Sequence, residues 1–315
     1  MNAYLKLCWL FVGVLLSVGF TDKVCAVNLG ETDCDEECCW DNAPRNSRSG
    51  VWLPEGASLF PPFLADPHRV CPSTGWRFDD RIFDVNTIDV SYADNVPIYR
   101  WFNVGARGSL LQLELEGALW ALFEPTLESS PLVNADYYVG GVLTYAYRNW
   151  SFRLRGFHIS SHLGDEFLLN MQIEQPEFKR LNPSAEYIDL AGAYVWNEDV
   201  RLYAGIGCVV HDDKSFPWKG FYSLCGFEHY LPFFRFYDDC DRIGGSPFQA
   251  LHLHFQTTNS FSPDLTYVLG YELCKFCGLA RALRFFGEYH NGFSVEGQFA
   301  KTRTRYYALR FSYGF

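Results

Sequence analysis

Tyr306-Tyr307-Ala308-Leu309-Arg310-Phe311-Ser312-Tyr313-Gly314-Phe315 is the stretch on which the fold turns. Successive side chains of a β-strand point to opposite faces. Tyr307, Leu309, Phe311, Tyr313 and Phe315 therefore form one apolar, aromatic stripe. Tyr306, Ala308, Arg310, Ser312 and Gly314 form the other face, which carries the only charge. Such a strand suits lipid on one side and an enclosed polar space on the other, with tyrosines at interface depth.

The same texture runs upstream to about residue 69. Leu111, Leu113, Leu115, Gly117, Leu119, Ala121 and Phe123 oppose Gln112, Glu114, Glu116 and Trp120. Leu202, Ala204, Ile206, Cys208 and Val210 oppose Arg201, Tyr203, Gly205 and His211. Leu283, Phe285 and Tyr289 oppose Arg284, Glu288 and His290. Segments of this kind, separated by turn residues, are read at 73–82, 85–101, 107–123, 134–147, 150–163, 184–197, 199–211, 219–230, 248–258, 265–275, 280–290 and 302–315. Tight connections at 147–150, 196–200 and 274–280 alternate with longer ones at 124–133, 163–184, 211–218 and 291–301. Short periplasmic turns alternating with long outer loops is the pattern of an outer-membrane barrel. Residues 231–247 depart from it, being long on the periplasmic side.

Past the first 26 residues no uninterrupted apolar run approaches the ~18 residues of a membrane helix. In hydrocarbon every backbone N–H and C=O must be paired within the protein, which leaves a closed sheet. The expected class is all-β: an antiparallel transmembrane β-barrel of about twelve strands with an irregular N-terminal leader. Glu114, Glu116, Arg153, Arg155, Arg201, Arg284, Glu288 and Arg310 fall on the polar faces and are expected to face the lumen. They would either pair across it or line a wet channel.

The 315-residue chain carries a formal charge of −11 and is 18% aromatic. Lys6, the apolar run Leu7 to Phe20 and Val24-Cys25-Ala26 read as a signal peptide cleaved after Ala26. Its removal takes away a net +1 and leaves −12. No basic patch clusters, so a nucleic-acid partner is not expected. Outer-membrane lipids and the barrel assembly machinery are the expected partners, the latter reading Phe311, Tyr313 and Phe315 at the chain's end.

Residues 27–68 read as an acidic, Cys- and Pro-rich segment outside the main fold, with the barrel at 69–315. Cys34, Cys38 and Cys39 lie too close together for all three to pair locally without strain. Crosslinks to envelope proteins and local disulfides or free thiols both remain open for them. Of eleven cysteines nine survive cleavage, an odd number that leaves at least one thiol free or paired with another chain.

The run from Gly156 to Phe167 is the one that could carry chemistry. His158, Ser160 and His162 share the outward stripe with Trp150, Phe152 and Leu154, at the outer end of a strand running away from the periplasm. This arrangement is similar to the His-x-Ser strand of outer-membrane phospholipase A and lipid A 3-O-deacylase. The resemblance implies His158 as base and Ser160 as nucleophile on outer-leaflet lipid, with Asp165, Glu166 or an Asn or Glu on a neighbouring strand orienting the histidine. The bland alternative is that polar residues simply begin where the strand leaves the membrane. His252 and His254 share a face with Gln256 and suit lumen hydrogen bonding. Cys274-Lys-Phe-Cys277 has redox spacing but sits in a turn between strands, which suits a structural bridge or free thiols. No cofactor is expected; surface calcium at Asp212-Asp213 or Asp239-Asp241 is a minor alternative to solvated loop charge.

Leu59-Phe-Pro-Pro-Phe-Leu-Ala-Asp-Pro67, Pro97-Ile-Tyr-Arg-Trp101, Asn134-Ala-Asp-Tyr-Tyr-Val-Gly140, Ser160-Ser-His-Leu-Gly-Asp-Glu-Phe167 and Asn291-Gly-Phe-Ser-Val-Glu-Gly-Gln-Phe299 together resemble domain-of-unknown-function family 1207. The resemblance covers about residues 53–315 and implies an outer-membrane barrel of the bacterial envelope, with no activity to carry over. Val295-Glu296 departs from the Pro-Asn associated with the last motif. The barrel alone supports a pore-like or structural envelope protein; the alternative is an outer-leaflet lipid hydrolase built on His158 and Ser160.

Overall fold

The structure is a computed structural model that describes residues 50–54, 58–174, 180–197, 199–218, 220–238, 243–275 and 281–314. The signal peptide, Cys34, Cys38, Cys39, Asp239, Asp241, Cys277 and Phe315 lie outside the described residues.

Among the described residues the strands are β1 (Gly50–Trp52), β2 (Ser73–Asp80), β3 (Val85–Phe102), β4 (Leu110–Phe123), β5 (Leu132–Tyr147), β6 (Trp150–Leu163), β7 (Ser184–Trp196), β8 (Val200–Asp212), β9 (Phe221–Tyr230), β10 (Phe236–Tyr237), β11 (Ile243–Gln256), β12 (Pro263–Lys275), β13 (Ala282–Phe293) and β14 (Arg303–Gly314), with one α-helix, α1 (Asp165–Glu174). Twelve of them form a closed antiparallel ring. Its order is β2, β14, β13, β12, β11, β9, β8, β7, β6, β5, β4 and β3, with β3 pairing both β4 and β2. β1 adds to the end of β3, and β10 adds to β11. The β10 pairing accounts for the long 231–247 connection: Phe236 and Tyr237 fold back onto Gly245 and Gly244 without adding a ring strand.

Period-two burial follows the sequence pattern. On β6, Ser151 and Arg153 are buried while Trp150, Phe152 and Leu154 are exposed. On β14, Tyr306, Ala308, Arg310 and Ser312 are buried while Tyr307, Leu309, Phe311 and Tyr313 are exposed. A soluble protein would hide that second set. Here large apolar side chains are exposed on the outward faces of the ring strands, and the molecule's core is its lumen.

The largest departure from the sequence reading is the Pro-rich segment. The sequence places residues 27–68 outside the main fold, but 58–68 run inside the barrel. Phe60 and Phe63 pack against Tyr187, Tyr203, Tyr222 and Leu224, and Leu64 and Ala65 pack against Tyr230, Phe248 and Phe286. Phe63 stacks on Tyr203 at 3.8 Å between ring centroids. The prolines keep this stretch out of helix and sheet, so lumen side chains take up its backbone groups. The Leu64 amide donates to Glu228 at 2.8 Å and the Pro61 carbonyl accepts from Arg201 at 2.9 Å. The Arg69 carbonyl accepts from Trp120 at 3.3 Å.

Most of the lumen charges pair across strands. Arg310 reaches Asp89 and donates to Glu288 at 2.8 Å. Arg77 donates to Asp89 at 2.6 Å and forms an ion pair with Glu296 at 2.6 Å. Arg284 pairs with Glu272 at 2.5 Å, Arg155 with Asp189 at 2.5 Å and Arg201 with Glu228 at 3.2 Å. Arg153 lies over the Phe60 and Phe63 rings at 4.9 and 5.2 Å. Glu114 accepts from Ser58 at 2.9 Å, and Glu116 from Tyr138 at 2.6 Å.

Two outer loops shape the mouth. The 163–184 connection, read as loop, contains α1, whose first turn carries Asp165 and Glu166, the favourable end for acidic residues. A Cβ on Gly164 would stand 1.9 Å from the Leu132 carbonyl oxygen, so only glycine fits at that junction. The 294–302 loop dips inward, where the Gly297 amide donates to Asp136 at 3.1 Å and Gln298 to the Ser161 carbonyl at 2.7 Å. The departure at Glu296 places a carboxylate against Arg77.

Candidate functional site

His158, Ser160 and His162 lie on the outward face of β6, and inward-facing Ser161 donates to Asn134 at 3.0 Å. The apolar wall begins at Trp150, which packs on Tyr194 at 4.7 Å. Eight residues along a tilted strand put His158 about 20 Å above that level, near the outer border of a ~25 Å apolar band.

Across from His158, β7 presents Glu186. Its Oε1 lies 2.9 Å from His158 Nδ1, and its Oε2 lies 2.7 Å from His211 Nδ1. A carboxylate only accepts, so it holds both Nδ1 atoms protonated and leaves the His158 Nε2 lone pair to act as a base. Ser160 sits two residues further along the same face, between Tyr137 of β5 and Ser184 of β7.

Strict alternation put His211 on the lumen side, and the structure corrects this. A bulge in the β7–β8 pairing matches Tyr187 with Val209 and Glu186 with His211, so Val210 is the extra residue. The bulge turns His211 outward onto Glu186, as bulges commonly re-aim side chains. Asp165 and Glu166 both open α1, and Glu166 accepts from Ser129 at 2.5 Å, while the carboxylate at His158 is that of Glu186. His162 Nδ1 lies 2.7 Å from Arg180. Glu186 stands where the sequence leaves room for an unnamed Glu on a neighbouring strand. Its signal is a charge on the same stripe as Ile188 and Leu190, at the outer end of β7.

The other candidates are structural. His252 is buried, with Nδ1 3.0 Å from the Tyr203 hydroxyl, and His254 faces Asp264 at 3.5 Å. Asp212 accepts from the Trp218 amide at 2.7 Å. In the loop beyond β8, the Ser215 hydroxyl and amide, then Asn182, hold the Asp213 carboxyl below the usual range. Among the described residues no cluster of three or more His, Cys, Asp or Glu is arranged to hold a metal ion.

A closed twelve-stranded ring with an apolar exterior and a charged interior defines the outer-membrane class of β-barrel. The chain belongs to the family described as protein of unknown function (DUF1207), matched over residues 33–315. No curated protein matches it in sequence. Among solved structures it is similar to outer membrane phospholipase A from Escherichia coli, with a TM-score of 0.51 at 11% identity, over 78% of this chain and 93% of that one. It is also similar to the KdgM porin (TM-score 0.40, 10% identity, 78% and 99% covered). LpxR from Salmonella typhimurium gives a TM-score of 0.36 at 11% identity, with 78% and 99% covered. At these identities the likeness is one of fold.

Proposed function

We propose that the chain works in the bacterial outer membrane as an outer-leaflet lipid ester hydrolase, with Ser160 as nucleophile, His158 as base and Glu186 as the group that orients it. The observation that carries this reading is the contact of His158 Nδ1 with Glu186 on a lipid-facing wall, two residues from an outward serine.

In the mechanism, Ser160 Oγ passes its proton to His158 Nε2 and attacks the ester carbonyl. Glu186 stabilises the imidazolium that forms. His158 then gives the proton to the departing alcohol, leaving an acyl group on Ser160. Water, deprotonated by His158, releases the fatty acid and restores the serine.

The pore reading fits less well, because residues 58–72 and the ion pairs occupy the lumen. The test is fatty-acid release from phospholipid or lipid A vesicles by detergent-purified protein. Ser160→Ala and His158→Ala should each abolish release while the barrel stays folded. Full turnover by Ser160→Ala, or none by the wild type, would overturn the proposal.

A further inference from the structure

Directly membrane-ward of His158 the wall is hollow. Gly141 of β5 and Gly156 of β6 are cross-strand partners, and both point outward. A Cβ on either would meet nothing within 4 Å. Neither has a positive φ, so neither the backbone conformation nor close packing within the chain requires glycine here. Glycine inside a strand weakens it, and often marks a place where something else approaches closely.

The side chains around the hollow are set by strand register. Leu115 and Ile188 flank the glycine pair in the same cross-strand row. Val139 and His158 form the row above it, and Leu143 and Leu154 the row below. With Glu186 and Val210 at its upper edge, the groove is shallow and open on its outer side, with a volume of about 450 Å³. Its lining is apolar except at the end that holds His158 and Glu186.

We infer that this groove binds one acyl chain of the lipid whose ester is cleaved. The inference rests on the hydrolase reading for the ester and on the groove itself for the chain. Hydrocarbon is what surrounds this depth of a barrel wall, and the polar end stands where the ester of an outer-leaflet lipid would meet Ser160. A chain lying over Gly156 places its carbonyl end toward His158 and Ser160. The enzyme would then select substrates by acyl chain length rather than by headgroup.

Two experiments separate this inference from the reading beneath it. In the first, Ser160→Ala protein in vesicles is photolabelled with a long-chain fatty acid bearing a diazirine, and the label is mapped by mass spectrometry. Label should concentrate on Leu115, Val139 and Ile188 and fall several-fold in Gly156→Leu and Gly141→Leu, whose folding is checked by heat-modifiable gel migration. Label spread evenly round the barrel, label unchanged in both variants, or crosslinks between two barrels through this face would each overturn the groove. In the second, the same substitutions are made in the active protein. Hydrolysis of a sixteen-carbon ester should fall at least tenfold in kcat/KM while that of a four-carbon ester holds. Equal loss on both esters would count against chain recognition. Groove labelling by a protein that cleaves no ester would sink the hydrolase reading and leave the groove standing.

Discussion

Arg201 and Glu228 pair at 3.2 Å inside the barrel, and each also holds the same inserted segment. Arg201 donates to the Pro61 carbonyl at 2.9 Å, and Glu228 accepts from the Leu64 amide at 2.8 Å. The pair is thus a clamp on the segment as well as a bond between β8 and β9. Glu228→Ala should strand a buried guanidinium and an amide, at a cost of about 3–5 kcal/mol. The midpoint of heat-induced unfolding on unboiled gels should fall accordingly. A midpoint unchanged from wild type would show that the clamp carries no weight.

Residues 58–72 fill space that would otherwise be lumen. Deleting 58–71 should therefore turn a barrel of little or no conductance into one that passes discrete current steps in planar bilayers. Equal currents from the deletion and the full chain would show that the segment does not occupy the lumen in the membrane.

Glu186 touches His158 rather than Ser160, so its removal should lower kcat and leave KM nearly unchanged. Glu186→Gln keeps the shape but loses the charge that fixes the tautomer, and a fall of roughly 10²–10⁴-fold is expected. His211 meets Glu186 from the exposed side. His211→Ala should cost no more than about 1 kcal/mol, under about fivefold in rate. Steady-state kinetics on a lipid ester measures both, and a larger effect for His211 than for Glu186 would reverse the roles.

Leu154 points outward about midway between the Trp150 level and His158. In a bilayer Leu154→Arg should destabilise the barrel by about 2–4 kcal/mol, whereas on a water-exposed surface such a change is worth ~0.5 kcal/mol or less. Equilibrium unfolding in lipid vesicles against urea measures the difference, and a shift within the smaller range would mean that this wall does not face hydrocarbon.

Strand positions were read closely because alternation is local: β6 runs from Trp150 to Leu163 in the sequence reading and in the structure alike. The inward charges and the outward stripe follow from the same period of two. The 231–247 connection stands out because it holds β10, which folds back onto the start of β11, and a two-residue strand leaves no periodic trace.

What the sequence determined by itself was the kind of surface each strand presents, since side-chain direction depends only on neighbouring residues in an extended chain. From that came a ring with lipid outside, and His158 and Ser160 on its outer wall. Tertiary structure alone decided which strand residues stand opposite each other, where one extra residue at Val210 turns His211 outward, and that a Pro-rich stretch without pattern enters the lumen. Those outcomes depend on register and on partners from many strands at once, which no local run of residues encodes.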